Sequence, residues 1–382
     1  MRKIRILALT PTYYPMMGGA ERTVYELFSR LEKTGRYEID LVTPKLGGRN
    51  VEKEGNFSVY RVGRQLKSKY AKFIAYQYLQ FKKANELCKQ KKYDFLHVDF
   101  AFPAAFAALR LAKKHGLPLV TTEFHLGTGM DIIHEDQNPW FVKPIISKVY
   151  QKSRMILVIS NEQKEFVKKN GSQEAIVIHQ GTDHVLFTPK NYDERIKKKF
   201  ACEGPVCITV SRLSKRKCID EMIDAIDIVR KKHPKIKLLI VGKGEEKERL
   251  QDQIQKLGLQ ENVQFTGFVS DEDLRKLYAT ADLFLLTSKY EGFGIVNCEA
   301  LASGTPVITY DTTAASDYIK DGETGFITQH NVSEFAARVV ELLDDPNRLS
   351  SMSRNARELI EKGFTWELYA NRHDEIFKKE FT

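Results

Sequence analysis

Short runs rich in Val, Ile, Leu and Phe alternate with helix-length segments from one end of this chain to the other. In the first half the strand-like runs are residues 4–10, 38–43, 58–63, 95–100, 119–124, 155–160 and 175–179. In the second half they are residues 206–210, 236–242, 263–267, 283–287, 306–310 and 325–328. Helix-like segments lie between them, at 21–32, 104–115, 220–232, 245–257, 271–279 and near 295–303, and three more (332–343, 347–361, 366–381) close the chain. Strand, helix, strand in repetition is the unit of a parallel, doubly wound sheet. The polar, Lys-rich stretch 181–205, with Pro189 and Pro205, interrupts the series and reads as a linker. The 382 residues exceed one ordinary domain of about 100–200 residues. The expectation is α/β, with two Rossmann-like halves and a cleft between them.

Composition narrows the class. Hydrophobic residues are 42% and charged residues 29%, which excludes a wholly disordered or fibrous chain. No run of about 18 apolar residues could cross a bilayer as a helix. The first fifteen residues lack a small-residue cleavage site and read as a strand rather than a signal peptide. Five cysteines without a CxxC pair indicate neither a disulfide framework nor a zinc ribbon. A cytoplasmic location is expected.

The net charge of +10 is unevenly spread. Between residues 61 and 92, ten Lys and Arg (positions 61, 64, 67, 69, 72, 82, 83, 89, 91 and 92) stand against one acid, Glu86. Phe73, Ile74, Tyr76, Tyr78, Leu79 and Phe81 are interleaved with them. Such a stretch suits an anionic lipid surface or nucleic acid, which makes peripheral membrane attachment one expectation. The same residues also suit the flank of a core-facing helix.

In open α/β sheets ligands sit beyond the carboxyl ends of the strands, where helices begin. Gly18 and Gly19 close the loop after the first strand and precede a helix N-terminus, which offers N–H groups and a positive dipole to an anion. The spacing is not that of the GxGxxG dinucleotide fingerprint. In the second half, Ser211-Arg-Leu-Ser-Lys-Arg-Lys217 follows a strand directly. Arg212 supplies a forked donor and Lys217 a point charge, a pairing suited to a diphosphate. Gly242-Lys-Gly244 ends the next strand, where glycine permits close backbone approach. Gly267-Phe268 ends another and offers an aromatic edge to a base. The most specific segment is Glu291-Gly-Phe-Gly-Ile-Val-Asn-Cys-Glu299, backed by Ser303-Gly-Thr-Pro-Val307. Phe293, Gly294, Ile295 and Val296 open a helix toward a phosphate, and Glu291 and Glu299 can accept hydrogen bonds from vicinal hydroxyls.

These residues resemble glycosyltransferase family 4, the retaining, nucleotide-sugar-dependent enzymes of GT-B fold. The match includes Gly18-Gly19-Ala20-Glu21, Ser211-Arg212-Leu213 with Lys217, Gly242 and Gly244, and Glu291 through Glu299. Gln180-Gly-Thr-Asp183 with Phe187, and Phe364-Thr-Trp366 at the start of a last helix that crosses back, extend it over nearly the whole chain. The resemblance implies an acceptor-side domain at 1–185 with a returning helix at 364–382, and a nucleotide-sugar domain at 186–363. It implies that Arg212 and Lys217 hold the donor diphosphate, Glu299 the ribose and Glu291 the transferred sugar. Gly19 would approach the phosphates and His125 would line the sugar site. The donor would be a UDP- or GDP-linked hexose, the acceptor a glycan or lipid-linked molecule, and no metal or other cofactor would be required.

The chain departs from the family pattern in three places. Cys218 stands where the family usually has Gly, and is tolerable only if that position avoids positive φ. Asp99 replaces a His in Asp94-x-x-His97-x-Asp99. Thr122-Glu123-Phe124-His125 is one residue longer than the usual Thr-x-His. Asp271-Glu-Asp273 spells DxD but follows Ser270 and reads as a capped helix start. A GT-B sugar-nucleotide epimerase and a non-catalytic, basic nucleic-acid-binding protein are the alternatives. No RNP, KH or helix-turn-helix signature supports the latter, so no nucleic-acid partner is expected.

Overall fold

The structure is a computed structural model that describes residues 2–14, 18–45, 51–54, 57–63, 69–124, 142–172, 174–267, 269–312 and 314–382, without the side chains of 54 and 69–74. The chain divides into two compact units, Met1–Gln180 with Trp366–Thr382, and Gly181–Thr365.

The first unit holds strands β1 (Ile4–Leu9), β2 (Tyr37–Pro44), β3 (Val51–Glu54), β4 (Phe57–Val62), β5 (Phe95–Asp99), β6 (Leu119–Glu123), β7 (Met155–Val158) and β8 (Ile176–Val177). They form one sheet in the order β3-β4-β2-β1-β5-β6-β7-β8. All neighbours run parallel except β3, which pairs antiparallel with β4 at the edge. Every residue of β5 and β6 is buried, as expected of parallel strands covered on both faces.

The last helix, Trp366–Phe381, belongs to this unit. Its Asp374 carboxylate accepts from Arg36 Nη2 at 2.7 Å and Tyr37 Oη at 2.8 Å. Phe381 stacks on Phe95 with ring centroids 4.2 Å apart.

The second unit holds β9 (Val206–Val210), β10 (Lys237–Val241), β11 (Val263–Gly267), β12 (Leu283–Leu286), β13 (Val307–Tyr310) and β14 (Gly325–Thr328). Their order is β11-β10-β9-β12-β13-β14, all parallel. Counted from β9 this is 3-2-1-4-5-6, the Rossmann order. Its core is aliphatic, with Ile226, Leu238, Leu285 and Phe335 fully buried. The stretch read as a linker folds into this unit as a short turn, Pro189–Asn191, and a helix, Glu194–Lys199.

Candidate active site

A 3-2-1-4-5-6 sheet has one topological switch point, between β9 and β12, and a crevice opens outside the carboxyl ends of those two strands. The chain places Ser211–Lys217 and Thr287–Gly294 there. Lys217 and Glu291 form an ion pair across the switch point, their side chains only 9% and 11% exposed. Burial pushes the Glu291 carboxyl up, but the charges of Lys217 and Arg216 outweigh it and hold the group below the usual carboxylate range. Thr287 Oγ1 donates to the carbonyls of Lys217 (3.0 Å) and Cys218 (2.8 Å), and Lys289 N donates to Arg216 O (2.9 Å). The two loops are thus laced together. Arg212 lies exposed at the rim, its guanidinium 3.6 Å from Glu245.

The close approach that Gly242 and Gly244 permit is to the chain's own backbone. A Cβ at Gly242 would lie 1.9 Å from Ser211 O, and one at Gly244 would lie 2.1 Å from Leu213 O. Leu213 N donates to Lys243 O at 3.0 Å. The two glycines therefore seat the loop that carries Arg212. Cys218 has φ +46°, the left-handed conformation that its place in the sequence put in question, and it is buried.

Gly294 caps the helix Ile295–Ala302 with φ +86°, and a Cβ there would lie 2.6 Å from Tyr318 Oη. The N–H groups of Ile295 and Val296 lie in the first turn, where no carbonyl of the helix can reach them. That is the arrangement that receives an anion. Phe293 is buried against Tyr318, ring centroids 4.9 Å apart. Glu299, one turn on, accepts from Tyr278 Oη at 2.9 Å. Sequence reasoning missed Tyr278 and the Asn297–Tyr318 hydrogen bond (2.7 Å), because both tyrosines read as ordinary core aromatics. Ser270 Oγ accepts from Asp273 N at 3.1 Å, so the Asp271-Glu-Asp273 run is the first turn of a capped helix.

In the first unit Gly18 is the N-cap of Gly19–Lys33 in extended conformation. The Glu21 carboxylate folds back to it, 2.6 Å from where a Gly18 Cβ would be. A carboxylate in the first turn already meets the helix dipole, so a second anion at Gly18 and Gly19 would face a negative neighbour. Asp99 and Glu123 are buried at the ends of β5 and β6. Burial raises both carboxyls to about 8; for Glu123 the hydrogen bonds from Ala101 N (2.7 Å) and Tyr150 Oη (3.1 Å) counter only part of it. His97 Nε2 bonds Thr122 Oγ1 at 2.7 Å. Two expected site residues, His125 and Phe268, lie outside the described residues.

The basic stretch 61–92 is less of a surface than its charge suggests. Arg61 is buried and paired with Glu52 at 2.9 Å. Lys91 bridges Glu38 (2.7 Å) and Asp40 (2.5 Å), and Lys83 pairs with Glu86 (2.9 Å). Tyr76 is buried, its hydroxyl donating to Thr10 O at 2.7 Å. Arg61 and Lys91 face the fold because β3 carries Glu52 and β2 carries Glu38 and Asp40. Lys82, Lys89 and Lys92 remain exposed, as does Tyr78 at 64%. On the neighbouring helix Ala105–His115, Phe106 is 51% exposed and Arg110 lies over the Phe81 ring at 5.0 Å. No helix among the described residues is long and apolar enough to cross a membrane.

Residues 190–359 match the family model for glycosyl transferases group 1, and residues 17–186 match that of glycosyltransferase family 4. The alpha-monoglucosyldiacylglycerol synthase of Streptococcus pneumoniae is 25% identical over 94% of this chain and 81% of its own. Sucrose-phosphate synthase from Thermosynechococcus elongatus shares the fold with a TM-score of 0.84 at 20% identity, over 99% of both chains. An Anabaena protein solved in complex with UDP-glucose does so with a TM-score of 0.78 at 21% identity, over 98% of this chain and 100% of that one. The chain belongs to glycosyltransferase family 4 and is a glycosyltransferase of the GT-B fold.

Proposed function

We propose that this enzyme transfers a hexose-type sugar, with retention, from a UDP- or GDP-linked donor to a glycan or lipid-linked acceptor. The observation that carries the donor half is the Lys217–Glu291 pair at the switch point, with Arg212 at the rim and the Ile295–Ala302 helix beginning beside it. An incoming diphosphate would take Lys217 and Arg212 from their carboxylate partners and accept from Ile295 N and Val296 N. Glu299, already bonded to Tyr278, would accept from the ribose hydroxyls, and Glu291 from the sugar. The relative solved with UDP-glucose and the relative named for a glucosyldiacylglycerol product are consistent with this donor and acceptor class. Gly19 and His125 keep the roles that the family resemblance gives them, and a phosphate arriving at Gly19 would displace the Glu21 carboxylate from the helix N-terminus.

In the retaining reaction the acceptor hydroxyl attacks the anomeric carbon from the face the diphosphate leaves. The C–O bond to the diphosphate breaks, and a diphosphate oxygen takes the acceptor's proton. Negative charge grows on the leaving group, so preorganised cations and helix N–H groups stabilise the transition state more than the ground state. With that charge met by side chains, turnover should need no divalent ion. The exposed Tyr78, Phe106 and Arg110 with Lys82 and Lys89 would hold the enzyme against anionic lipid.

Thermal melting with UDP and with GDP tests the reading. One of them should raise the melting temperature of the wild type, and Glu299→Ala should shrink that shift. A protein that responds to neither nucleotide overturns it.

A further inference from the structure

We propose that Tyr278 is a positioning residue for the donor's ribose: its buried hydroxyl holds the Glu299 carboxylate in the orientation that accepts from the vicinal 2′- and 3′-hydroxyls. The proposal rests on the reading of Glu299 as the ribose acceptor, and the experiment below separates the two.

Glu299 lies four residues after Ile295, hence one turn on and on the same face of the helix Ile295–Ala302. Side chains on a helix lean toward its N-terminus, so the carboxylate is carried back toward the N–H groups that would meet the phosphates. A glutamate has three side-chain torsions, and one that swings freely loses that freedom when it binds a ligand. Glu299 is fixed beforehand. It is 5% exposed, and its Oε2 accepts from Tyr278 Oη at 2.9 Å. A hydroxyl bonded to a carboxylate makes a charge-assisted hydrogen bond. A carboxylate can accept about four hydrogen bonds, so the one that orients it is compatible with others from a ligand.

Tyr278 is itself held along its whole length. It is fully buried near the end of the helix Asp271–Thr280. Its ring packs against Phe187 and Phe284, with centroids 5.6 Å from each. Its carbonyl accepts from Thr305 Oγ1 at 2.5 Å. In the same turn Ser303 Oγ donates to Glu299 O at 2.9 Å. The Ser303-Gly-Thr-Pro-Val307 phrase therefore anchors the backbone of both partners, a purpose that its sequence alone did not show. A tyrosine that only satisfied its own hydroxyl in the core could use any acceptor. Here the acceptor and both backbone anchors converge on the one carboxylate of the helix that opens toward the phosphates. All of these residues lie within the second unit.

The test is calorimetric titration of the full chain with UDP, GDP and their 2′,3′-dideoxy forms. Wild type should bind one ribonucleotide at least about tenfold more tightly than its dideoxy form, which cannot make the hydrogen bonds to the carboxylate. Tyr278→Phe keeps the ring and removes only the hydroxyl. It should shrink that ratio about fivefold, with dideoxynucleotide binding within about twofold of wild type. In a Glu299→Ala background the same change should leave ribonucleotide binding within about twofold, because Tyr278 acts through Glu299. With a donor that turns over, Tyr278→Phe should raise KM and leave kcat nearly unchanged, since the ribose is held alike in ground and transition states. Thr305→Val, which removes the anchor on the Tyr278 carbonyl, is a second variant and should lower the ratio about threefold. Equal weakening of ribo- and dideoxynucleotide in Tyr278→Phe marks a merely structural role and overturns the proposal. An unchanged ratio in Tyr278→Phe, or in Thr305→Val should the first variant not fold, overturns it as well. A wild type that binds both nucleotide forms alike instead sinks the ribose role of Glu299, and the role of Tyr278 with it.

Discussion

On the proposed donor reading one charge at Lys217 would do two jobs, which makes it the residue whose loss is most informative. Paired with Glu291 it compensates a buried carboxylate; released to a diphosphate it would stabilise the leaving group. Arg212 is exposed beside Glu245, and a surface pair of this kind adds little to stability. Arg212→Ala should therefore leave the melting temperature unchanged and lower kcat about 10²–10³-fold, the usual scale for removing one preorganised donor. Lys217→Ala should lower both, because it strands Glu291. Steady-state kinetics and melting curves check the contrast, and unchanged turnover in Arg212→Ala would remove it from the diphosphate site.

Cys218 gives a second test at this scale. Its φ of +46° costs a side chain about 1–2 kcal/mol that glycine escapes. Cys218→Gly should thus stay within about 1 kcal/mol of wild type, although it empties a buried position. Cys218→Val should lose more than about 2 kcal/mol, since β-branching worsens the same conformation. Urea unfolding measures both. The strain itself is not visible in the sequence, where Cys218 differs from glycine only by resemblance.

At the scale of elements, β5, β6 and the returning helix bury four titratable groups whose shifts oppose each other. Asp99 and Glu123 are raised to about 8 by burial, so the folded chain keeps their protons while the unfolded chain loses them near pH 4. Their contribution to stability is whole at low pH and is lost as pH rises to about 8. His97 and His373 are lowered to about 3 and about 4, first by burial. Their contribution is whole above the ordinary histidine value and is lost as pH falls below it. Between about pH 4.5 and 6.5 the two pairs nearly cancel. Above that only the carboxyls titrate, and stability should fall by up to about 1.4 kcal/mol per pH unit for each. Urea midpoints at pH 6.5 and 8 measure this, and Glu123→Gln should flatten the slope by about half. A rise in stability over that interval would contradict it.

Elements also show what could be read in advance. The strands of the second unit stand within a residue or so of their hydrophobic runs, because each is a short apolar-rich stretch ended by Gly, Thr or a polar turn, buried throughout in β10, β12 and β13 and only partly in the edge strand β11. β3 escaped because Val51-Glu-Lys-Glu54 is polar and pairs only at an edge. The helix Val142–Lys152 escaped because Pro144 reads as a breaker, yet it occupies the first turn, where no N–H is needed. The spacing of Gly242 and Gly244 was legible, but the reason for it was not. That reason is contact with Ser211 and Leu213, about thirty residues earlier in the chain. Likewise the charge of 61–92 was legible, while the inward turn of Arg61 and Lys91 depends on acids of β2 and on Glu52.

For the whole molecule, the proposed membrane attachment and the proposed donor chemistry can be tested separately. Vesicle co-sedimentation should show binding to anionic but not neutral lipid, weakened by salt as the Debye length shrinks from about 10 Å at 0.1 M to about 3 Å at 1 M. Replacing Lys82, Lys89 and Arg110 together with Ser should weaken it, while Arg61→Ser should instead lower the melting temperature. Equal pelleting of wild type and triple variant would move the acceptor toward a soluble molecule.

Donor hydrolysis goes to the centre of the matter. Wild-type protein, Arg212→Ala and Lys217→Ala would each be incubated with a panel of UDP- and GDP-linked hexoses, with EDTA present and no acceptor. Release of nucleoside diphosphate from at least one donor by the wild type, surviving EDTA and falling about 10²-fold or more in each variant, is the predicted result. Hydrolysis of no donor, hydrolysis that needs Mg²⁺ or Mn²⁺, or variants as active as wild type would contradict the donor site drawn here at the β9–β12 switch point.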